Sequence, residues 1–348
     1  MLLDDRKKRI LQAVIDDYID TAEPIGSRTI ARKHELSLSS ATIRNEMADL
    51  EEMGYLEQPH TSAGRVPSDK GYRLYVDQLM EVRELSPEEA DNIKSAMEIR
   101  INELSQLIRQ TALVMSRVTK YTSMAVTPQM KNLSLKAVQV VPIEPGKALV
   151  VIVTNAGIVK NSIIRILDNV SPDGLIRISN VLNIKLSGLT IEQINLSLIK
   201  EVETEIGIPR GILNAVLKGV EDCLNQIDSS EVYLDGTTNI FNHPEFKNVN
   251  KAREFLDVLD EKSNLYKLLG KMCNMGDINI SIGAENDMQE IKDCSLVTAT
   301  YSAGTTVIGA IGLIGPTRME YARVISSMNY IRKKINQEIK KLLSEGFE

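Results

Sequence analysis

Over its first eighty or so residues the chain is cut too often to form long helices, and the cuts limit what it can build. From about Asp5 to Thr21, Ile10, Leu11, Val14, Ile15, Tyr18 and Ile19 recur at helical spacing and give one apolar stripe. Pro24-Ile-Gly26 breaks that helix. Ser27 then caps a short helix, Arg28 to about Glu35, carrying Ile30 and Ala31. Leu36-Ser-Leu38 is a tight connection, and Ser39 or Ser40 caps a further helix to about Met53. Gly54 ends it as a residue that tolerates positive φ. Two short helices joined by a turn, after a longer first helix, make a helix-turn-helix pattern. Tyr55 to Gln58 reads as a strand, Pro59 to Gly64 as a polar turn and Arg65-Val66 as a return strand, together a β-hairpin wing. Ser68 opens another helix through Tyr72, Tyr75, Leu79 and Met80.

The helix from Ser40 to Met53 carries the chemistry. Ile43, Met47 and Leu50 fall at i, i+4 and i+7 and point inward. At about 100° per residue the outward centre is Ala41, Asn45 and Ala48, flanked by Thr42 and Arg44. Small residues let such a helix approach base edges in a major groove. There an Asn can pair with adenine, an Arg with guanine, and Ala or Thr methyls can touch thymine. Ser39 and Ser40 can reach phosphates through hydroxyls and backbone amides. Arg28, His60, Arg65, Lys70 and Arg73 complete the expected phosphate clamp, with Glu46 and Asp49 to one side. An Asn and an Arg on a helix face are also what a solvated surface carries, so the pattern alone leaves a protein-contact module open.

Charge does not single this region out. The 348-residue chain has a formal net charge of −6, unlike proteins that coat nucleic acid nonspecifically. From Arg28 to Arg73 seven basic residues (Arg28, Arg32, Lys33, Arg44, Arg65, Lys70, Arg73) face seven acidic ones (Glu35, Glu46, Asp49, Glu51, Glu52, Glu57, Asp69). Any DNA face must therefore come from sorting these charges in space.

Beyond it, Ser86-Pro-Glu-Glu89 is a capping box opening a helix with Met97, Ile101, Leu104, Ile108, Thr111, Met115 and Val118 on one seam. A seam of that kind packs on a sheet or on a partner helix, and core packing within the chain is the expected case. Strands are expected only after Pro128: Lys136 to Ile143, Ala148 to Thr154, and Ile158 to Leu167. Helices dominate from about Ser171 to Ile227, and Val232 starts a short strand. Lys251 to Leu269 is helical. Strands return at Ile278–Ile282, Ser295–Tyr301 and Thr306–Ile314, and a long helix begins at Thr317. Helix, sheet, helical interruption, sheet, helix describes an α+β domain with an insertion.

No run of about 18 apolar residues is present, so no membrane span is expected, and the start lacks a signal-peptide core. Cys223, Cys273 and Cys294 are widely spaced and read as buried small hydrophobes; the cytoplasm is the expected compartment.

Longer motifs carry a resemblance. Glu23-Pro-Ile-Gly-Ser27, Ser40-Ala-Thr-Ile-Arg-Asn-Glu-Met-Ala-Asp-Leu50, Gln58-Pro-His-Thr-Ser-Ala-Gly-Arg-Val-Pro67 and Gly71-Tyr-Arg73 resemble the heat-inducible transcription repressor HrcA family. The resemblance continues through Tyr233-Leu-Asp-Gly-Thr-Thr-Asn-Ile-Phe-Asn-His-Pro-Glu-Phe246, Ser281-Ile-Gly-Ala-Glu-Asn286 and Ile314-Gly-Pro-Thr-Arg-Met-Glu-Tyr-Ala-Arg-Val324. One departure is Ser39-Ser40, where many members carry a proline; Ser caps a helix well. The resemblance implies a winged helix-turn-helix (1–83), a GAF-like α+β domain split as 86–186 and 231–348, and an inserted dimerisation region (187–230). It also implies repression of chaperone and chaperonin operons from an inverted-repeat CIRCE operator on double-stranded DNA. The repressor would act as a homodimer and be kept DNA-competent by the chaperonin.

Two other classes remain. A ligand-sensing regulator would use the GAF-like domain, though no residue cluster specifies a ligand. An enzyme has little support: GxxxxGK[ST], HExxH and GxSxG are missing. Gly309, Gly312 and Gly315 lack dinucleotide-site spacing and read as close strand packing. His34, His60 and His243 are too scattered to suggest a metal, and no cofactor is expected.

Overall fold

Asp4 caps the first helix: its side chain accepts the Lys7 amide, and α1 (Asp5–Thr21) follows. The computed structural model describes residues 3–34, 36–60, 63–97, 104–126, 134–155, 159–166, 170–190, 193, 210–228, 232–270, 278–303 and 306–345. In α2 (Ser27–Lys33) the cap position belongs to Gly26, without a side-chain bond, so Ser27 is the first helical residue and not the cap. In α3 (Ser40–Glu52) Ser39 is the cap and Gly54 follows the helix at φ +79°. The core under these helices is made by Ile10, Leu11, Val14, Ile15, Ile30, Ile43, Met47 and Leu50, all buried. Strands β1 (Leu56–Glu57) and β2 (Val66–Pro67) pair antiparallel. The hairpin is also stitched to Ile25, which exchanges two 2.9 Å backbone hydrogen bonds with Arg65. Thr61 and Ser62 of the turn lie outside the described residues.

Ser68 caps α4 (Asp69–Leu74), which relaxes into a π-helical turn over Tyr75–Leu79. The capping box at Ser86 is complete: Glu89 N donates to Ser86 Oγ (3.2 Å) and Ser86 N to Glu89 Oε2 (3.0 Å). It opens α5 (Pro87–Met97), and α6 (Leu104–Thr119) follows. Ile101 of the expected seam lies outside the described residues; Met97, Leu104, Ile108, Thr111 and Met115 are buried.

The remaining elements, in chain order, are β3 (Thr122–Val126), β4 (Leu135–Glu144), β5 (Lys147–Thr154), β6 (Val159–Arg165), α7 (Pro172–Leu186), α8 (Arg210–Asp228), β7 (Val232–Asp235), α9 (Val249–Asp260), α10 (Lys262–Gly270), β8 (Ile278–Ile282), β9 (Cys294–Ala303), β10 (Thr306–Pro316) and α11 (Tyr321–Glu345). Strands β7, β3, β10, β9 and β8 lie side by side in that order, every neighbouring pair antiparallel. One face carries Ala125, Val297, Ala299, Ile311 and Leu313 into the core shared with α6 and α11. The other carries Met124, Val126, Leu296, Ala310 and Ile314 against α9 and α10. After the N-terminal hairpin, strands therefore resume before Pro128, at β3. Ring atoms of Tyr301 and Tyr121 and the Leu269 side chain fill the space a Cβ would need at Gly309, Gly315 and Gly312 respectively, so these glycines serve packing.

A second core is separate from this one. Strands β4, β5 and β6 form their own sheet, covered on one face by α7 and α8 through Val138, Val140, Val150, Ile152, Leu175, Ile178, Leu182, Val216 and Val220. Asn183 of α7 pairs with β4 as a strand would, accepting from Val138 N (2.7 Å) and donating to Val138 O (2.9 Å). This satisfies backbone groups that an edge strand otherwise leaves open. The expected break at Leu186/Ser187 falls inside this core, whose buried residues run from Leu135 to Leu224. Residues 191–192 and 194–209 of the expected insertion lie outside the described residues.

No helix among the described residues is long and apolar enough to cross a membrane. Cys223 and Cys294 are buried, and burial pushes their thiols up to about 11 and about 12. Both behave as small hydrophobes; Cys273 lies outside the described residues.

Candidate nucleic-acid interface

Helix α3 presents the expected face. Ile43, Met47 and Leu50 are buried, and Ala41, Arg44, Asn45 and Ala48 are exposed on the opposite side. Ser39 Oγ accepts Thr42 N at 3.1 Å and contacts Thr42 Oγ1 at 2.9 Å, which fixes the helix start. That cap contributes about 1 kcal/mol to helix stability. Ser40 beside it is half-buried. Neither Arg44 nor Asn45 has a side-chain partner among the described residues. A free guanidinium fork and a free amide thus stand side by side, with the small residues Ala41 and Ala48 exposed next to them.

Three of the four acids of α3 have cationic partners, and Glu52 has none among the described residues. Lys7 Nζ donates to Glu46 at 2.7 Å and lies 3.0 Å from Asp49, and Arg6 Nη1 reaches Glu46 at 3.4 Å. The Glu46 bond, then the Asp49 bond, hold the Lys7 ammonium well above the ordinary lysine range. At the C-terminal end of α3, Glu51 is taken by Arg65 at 2.7 Å. Sequence reasoning missed Arg6 and Lys7. The signal was the run Arg6-Lys-Lys-Arg9 in the first turn of a helix, where cations oppose the dipole and call for acidic partners.

The other expected contacts divide. Arg28 is exposed on α2 without an acidic partner among the described residues. So is Arg32, one turn further along the same face and not singled out by the sequence. His60 is exposed at the hairpin turn, its carbonyl accepting Ala63 N at 2.9 Å. Lys70 is exposed but oriented: Nζ donates to Met53 O at 2.8 Å and sits 4.3 Å from the Tyr55 ring centroid. Arg65, already paired with Glu51, is mostly covered. Lys33 is consumed by buried Asp17.

Arg73 is a correction to the expected clamp. Its Nε donates to Glu285 Oε1 at 2.8 Å and its Nη2 to Ile280 O at 2.6 Å, with Asp77 3.3 Å from Nη1. Burial pushes the Glu285 carboxyl up, but the Arg73 bond and the Ile282 amide outweigh it and hold it below the usual range. A guanidinium engaged on so many sides is tied to the rest of the molecule, although 30% of the side chain stays exposed. Of the seven basic residues between Arg28 and Arg73, those unpaired by acids among the described residues are Arg28, Arg32, Arg44 and Lys70. The charges that cancel in the sequence are sorted in space. No group of three or more His, Cys, Asp or Glu side chains able to hold a metal ion occurs among the described residues.

Comparison with known proteins identifies the family. The family model described as the HrcA protein C terminal domain matches residues 105–325. A heat-inducible transcription repressor HrcA of Ruminiclostridium cellulolyticum is 63% identical over 348 residues, covering 99% of this chain and 100% of the relative. Another, of Acetivibrio thermocellus, is 60% identical over 346 residues, covering 99% of each. A crystal structure of a protein described only as hypothetical superposes with a TM-score of 0.67 at 22% identity, covering 98% of this chain and 100% of that one, and so shares its fold. On matches that run along its whole length, the chain belongs to the heat-inducible transcription repressor HrcA family.

Proposed function

We propose that this chain represses chaperone and chaperonin operons by binding, as a homodimer, an inverted-repeat operator of the CIRCE type. Helices α2 and α3 with the β1–β2 hairpin act as a winged helix-turn-helix, and α3 enters the major groove. Arg44 reads a guanine and Asn45 an adenine, each through two hydrogen bonds. Thr42 meets a thymine methyl. Ser39, Ser40, Arg28 and His60 engage phosphates, with Lys70 and, to a lesser degree, Arg65 supporting the wing. The observation that carries this reading is the unpartnered Arg44–Asn45 pair, from which Lys7 and Arg65 draw every nearby acid on α3 except Glu52.

The split α+β part is read as the GAF-like scaffold, and the β4–β6 sheet with α7 and α8 as the inserted dimerisation unit. The face of this sheet away from α7 and α8, exposed among the described residues, supports that assignment. Val141, Leu149 and Ile163 line up across the three strands, as do Ala137, Val153 and Val159. Ile163 is 64% exposed and Val159 56%. A single winged helix reads few base pairs, whereas a dimer presents two reading helices to matching half-sites. In the cytoplasm the chaperonin keeps the repressor folded, and misfolded proteins that occupy it under heat stress lift repression.

Fluorescence anisotropy of the full chain on a CIRCE-type repeat and a scrambled duplex, across a salt series and with or without chaperonin, tests the function. Preference for the repeat, improved by chaperonin, is expected; equal weak binding to both by a folded dimer sinks the reading. Ile163→Lys should convert the dimer to a monomer in sedimentation velocity. An unchanged dimer moves the contact elsewhere.

A further inference from the structure

Four conspicuous sequence motifs take no part in the reading face: Gly71 to Arg73, Tyr233 to Phe246, Ser281 to Asn286 and Ile314 to Val324. They are far apart along the chain, yet they meet at the joint between the N-terminal unit and the body. Three ties form there, each to a different element. The first is Arg73, whose guanidinium holds Glu285 through both carboxylate oxygens and also reaches Ile280 O. Glu285 is itself fixed, since its Oε2 accepts Ile282 N at 2.8 Å. Alongside, Asp69 Oδ2 accepts Ala284 N at 2.8 Å. The adjoining Gly283 sits at φ +53°, and a Cβ there would meet the Asp69 carboxylate at 2.1 Å. Asn286 secures this loop to the start of β9, its Nδ2 within 2.7 Å of Cys294 O.

The second tie is aromatic. Tyr72 packs on Tyr321 at the start of α11, ring centroids 6.0 Å apart, both side chains buried. The third is Arg318, whose Nε donates to Glu245 Oε1 at 2.8 Å and whose Nη1 donates to the carbonyl of Ile19 in the last turn of α1. Such terminal carbonyls lack helical partners, and a cation suits the negative end of the dipole. Glu245 follows His243, which stacks on Tyr121 at 5.2 Å, and Tyr121 Oη accepts Glu320 N at 3.1 Å.

From this convergence we infer that Arg73 and Arg318 are positioning residues that fix the orientation of the α3 face on the body, and that they thereby set which spacing between operator half-sites the dimer accepts. The inference rests on the DNA-reading role proposed above. One attachment would leave the unit free to swivel, whereas three on different elements do not. Each base pair added between half-sites moves one of them about 3.4 Å and turns it by roughly a tenth of a helical turn. A swivelling head would follow that change, and a fixed head cannot.

The test uses the full chain on the native repeat, on repeats with the spacer longer or shorter by roughly 1 and 2 base pairs, and on a duplex with one half-site. The variants are Arg73→Glu, Glu285→Arg and the double exchange, with Arg73→Met as the milder change should charge reversal prevent folding. Wild type should lose about tenfold in affinity on altered spacers, comparable to a mismatched base pair. Arg73→Glu and Arg73→Met, which leave the other two ties, should reduce the spacer penalty severalfold and leave half-site binding unchanged, and the double exchange should restore the wild-type profile. A variant that weakens every duplex equally and lowers the salt slope would show Arg73 to be a phosphate contact and overturn the proposal. So would a wild-type spacing profile retained in both single variants. If wild type fails to distinguish the repeat from a scrambled duplex, the DNA-reading role falls and this inference with it.

Discussion

Arg44 and Arg73 lie in neighbouring helices of the same unit, each in a motif that speaks for DNA, and their surroundings send them in opposite directions. Around Arg44 three of the four acids of α3 are taken up: Lys7 takes Glu46 and Asp49, and Arg65 takes Glu51. Around Arg73 an acid is delivered, Glu285, from a loop far along the chain. An arginine's role is therefore set by which carboxylates the tertiary structure brings to it, more than by its own motif.

The largest effect that would break this comparison is at the free pair. Arg44→Ala and Asn45→Ala should each cost about 1–3 kcal/mol of operator discrimination per half-site, with melting temperature unchanged. A lower melting temperature in either variant would mean that residue is structural after all, like Arg73. Next comes Ser39→Ala, which should cost about 1 kcal/mol of stability by freeing the Thr42 amide, seen as a lower urea midpoint. Lys7→Met sharpens the comparison without touching the reading face. With Glu46 and Asp49 released, operator affinity should fall severalfold in anisotropy titrations at low salt, and the deficit should shrink as salt rises. Unchanged affinity would show that the acids are kept away by the helix geometry alone. The smallest effect is expected at Lys70→Ala. It should weaken binding to all duplexes alike and reduce the salt slope by about 1.

The same contrast explains what the sequence made legible. The inward triplet Ile43, Met47 and Leu50, the Ser39 cap, the Ser86–Glu89 box and β8 all follow from signals within a few residues, and all are present. Strand β3 was not legible. Helix α6 ends without glycine, at Lys120 with φ +63°, and Thr122–Val126 is buried throughout, so neither a break nor an alternation marks it. The second core was not legible for a related reason. Whether β4–β6 joins one sheet or another depends on long-range pairing, and their apolar pattern would suit either. Within the site, Arg44 and Asn45 could be found by periodicity because they face outward. Arg73 could not be excluded, because its partner lies in the distant Ser281–Asn286 motif.

The account rests on Arg44 and Asn45 standing free to read bases, and a double-mutant cycle between protein and operator tests that most directly. Affinity is measured for wild type and Arg44→Ala on the native repeat and on repeats in which each guanine of both half-sites is replaced in turn. The expected result is one guanine whose replacement costs wild type at least tenfold and costs Arg44→Ala almost nothing, the signature of a lost direct contact. Additive losses at every guanine would mean that Arg44 touches none of them and would contradict the account.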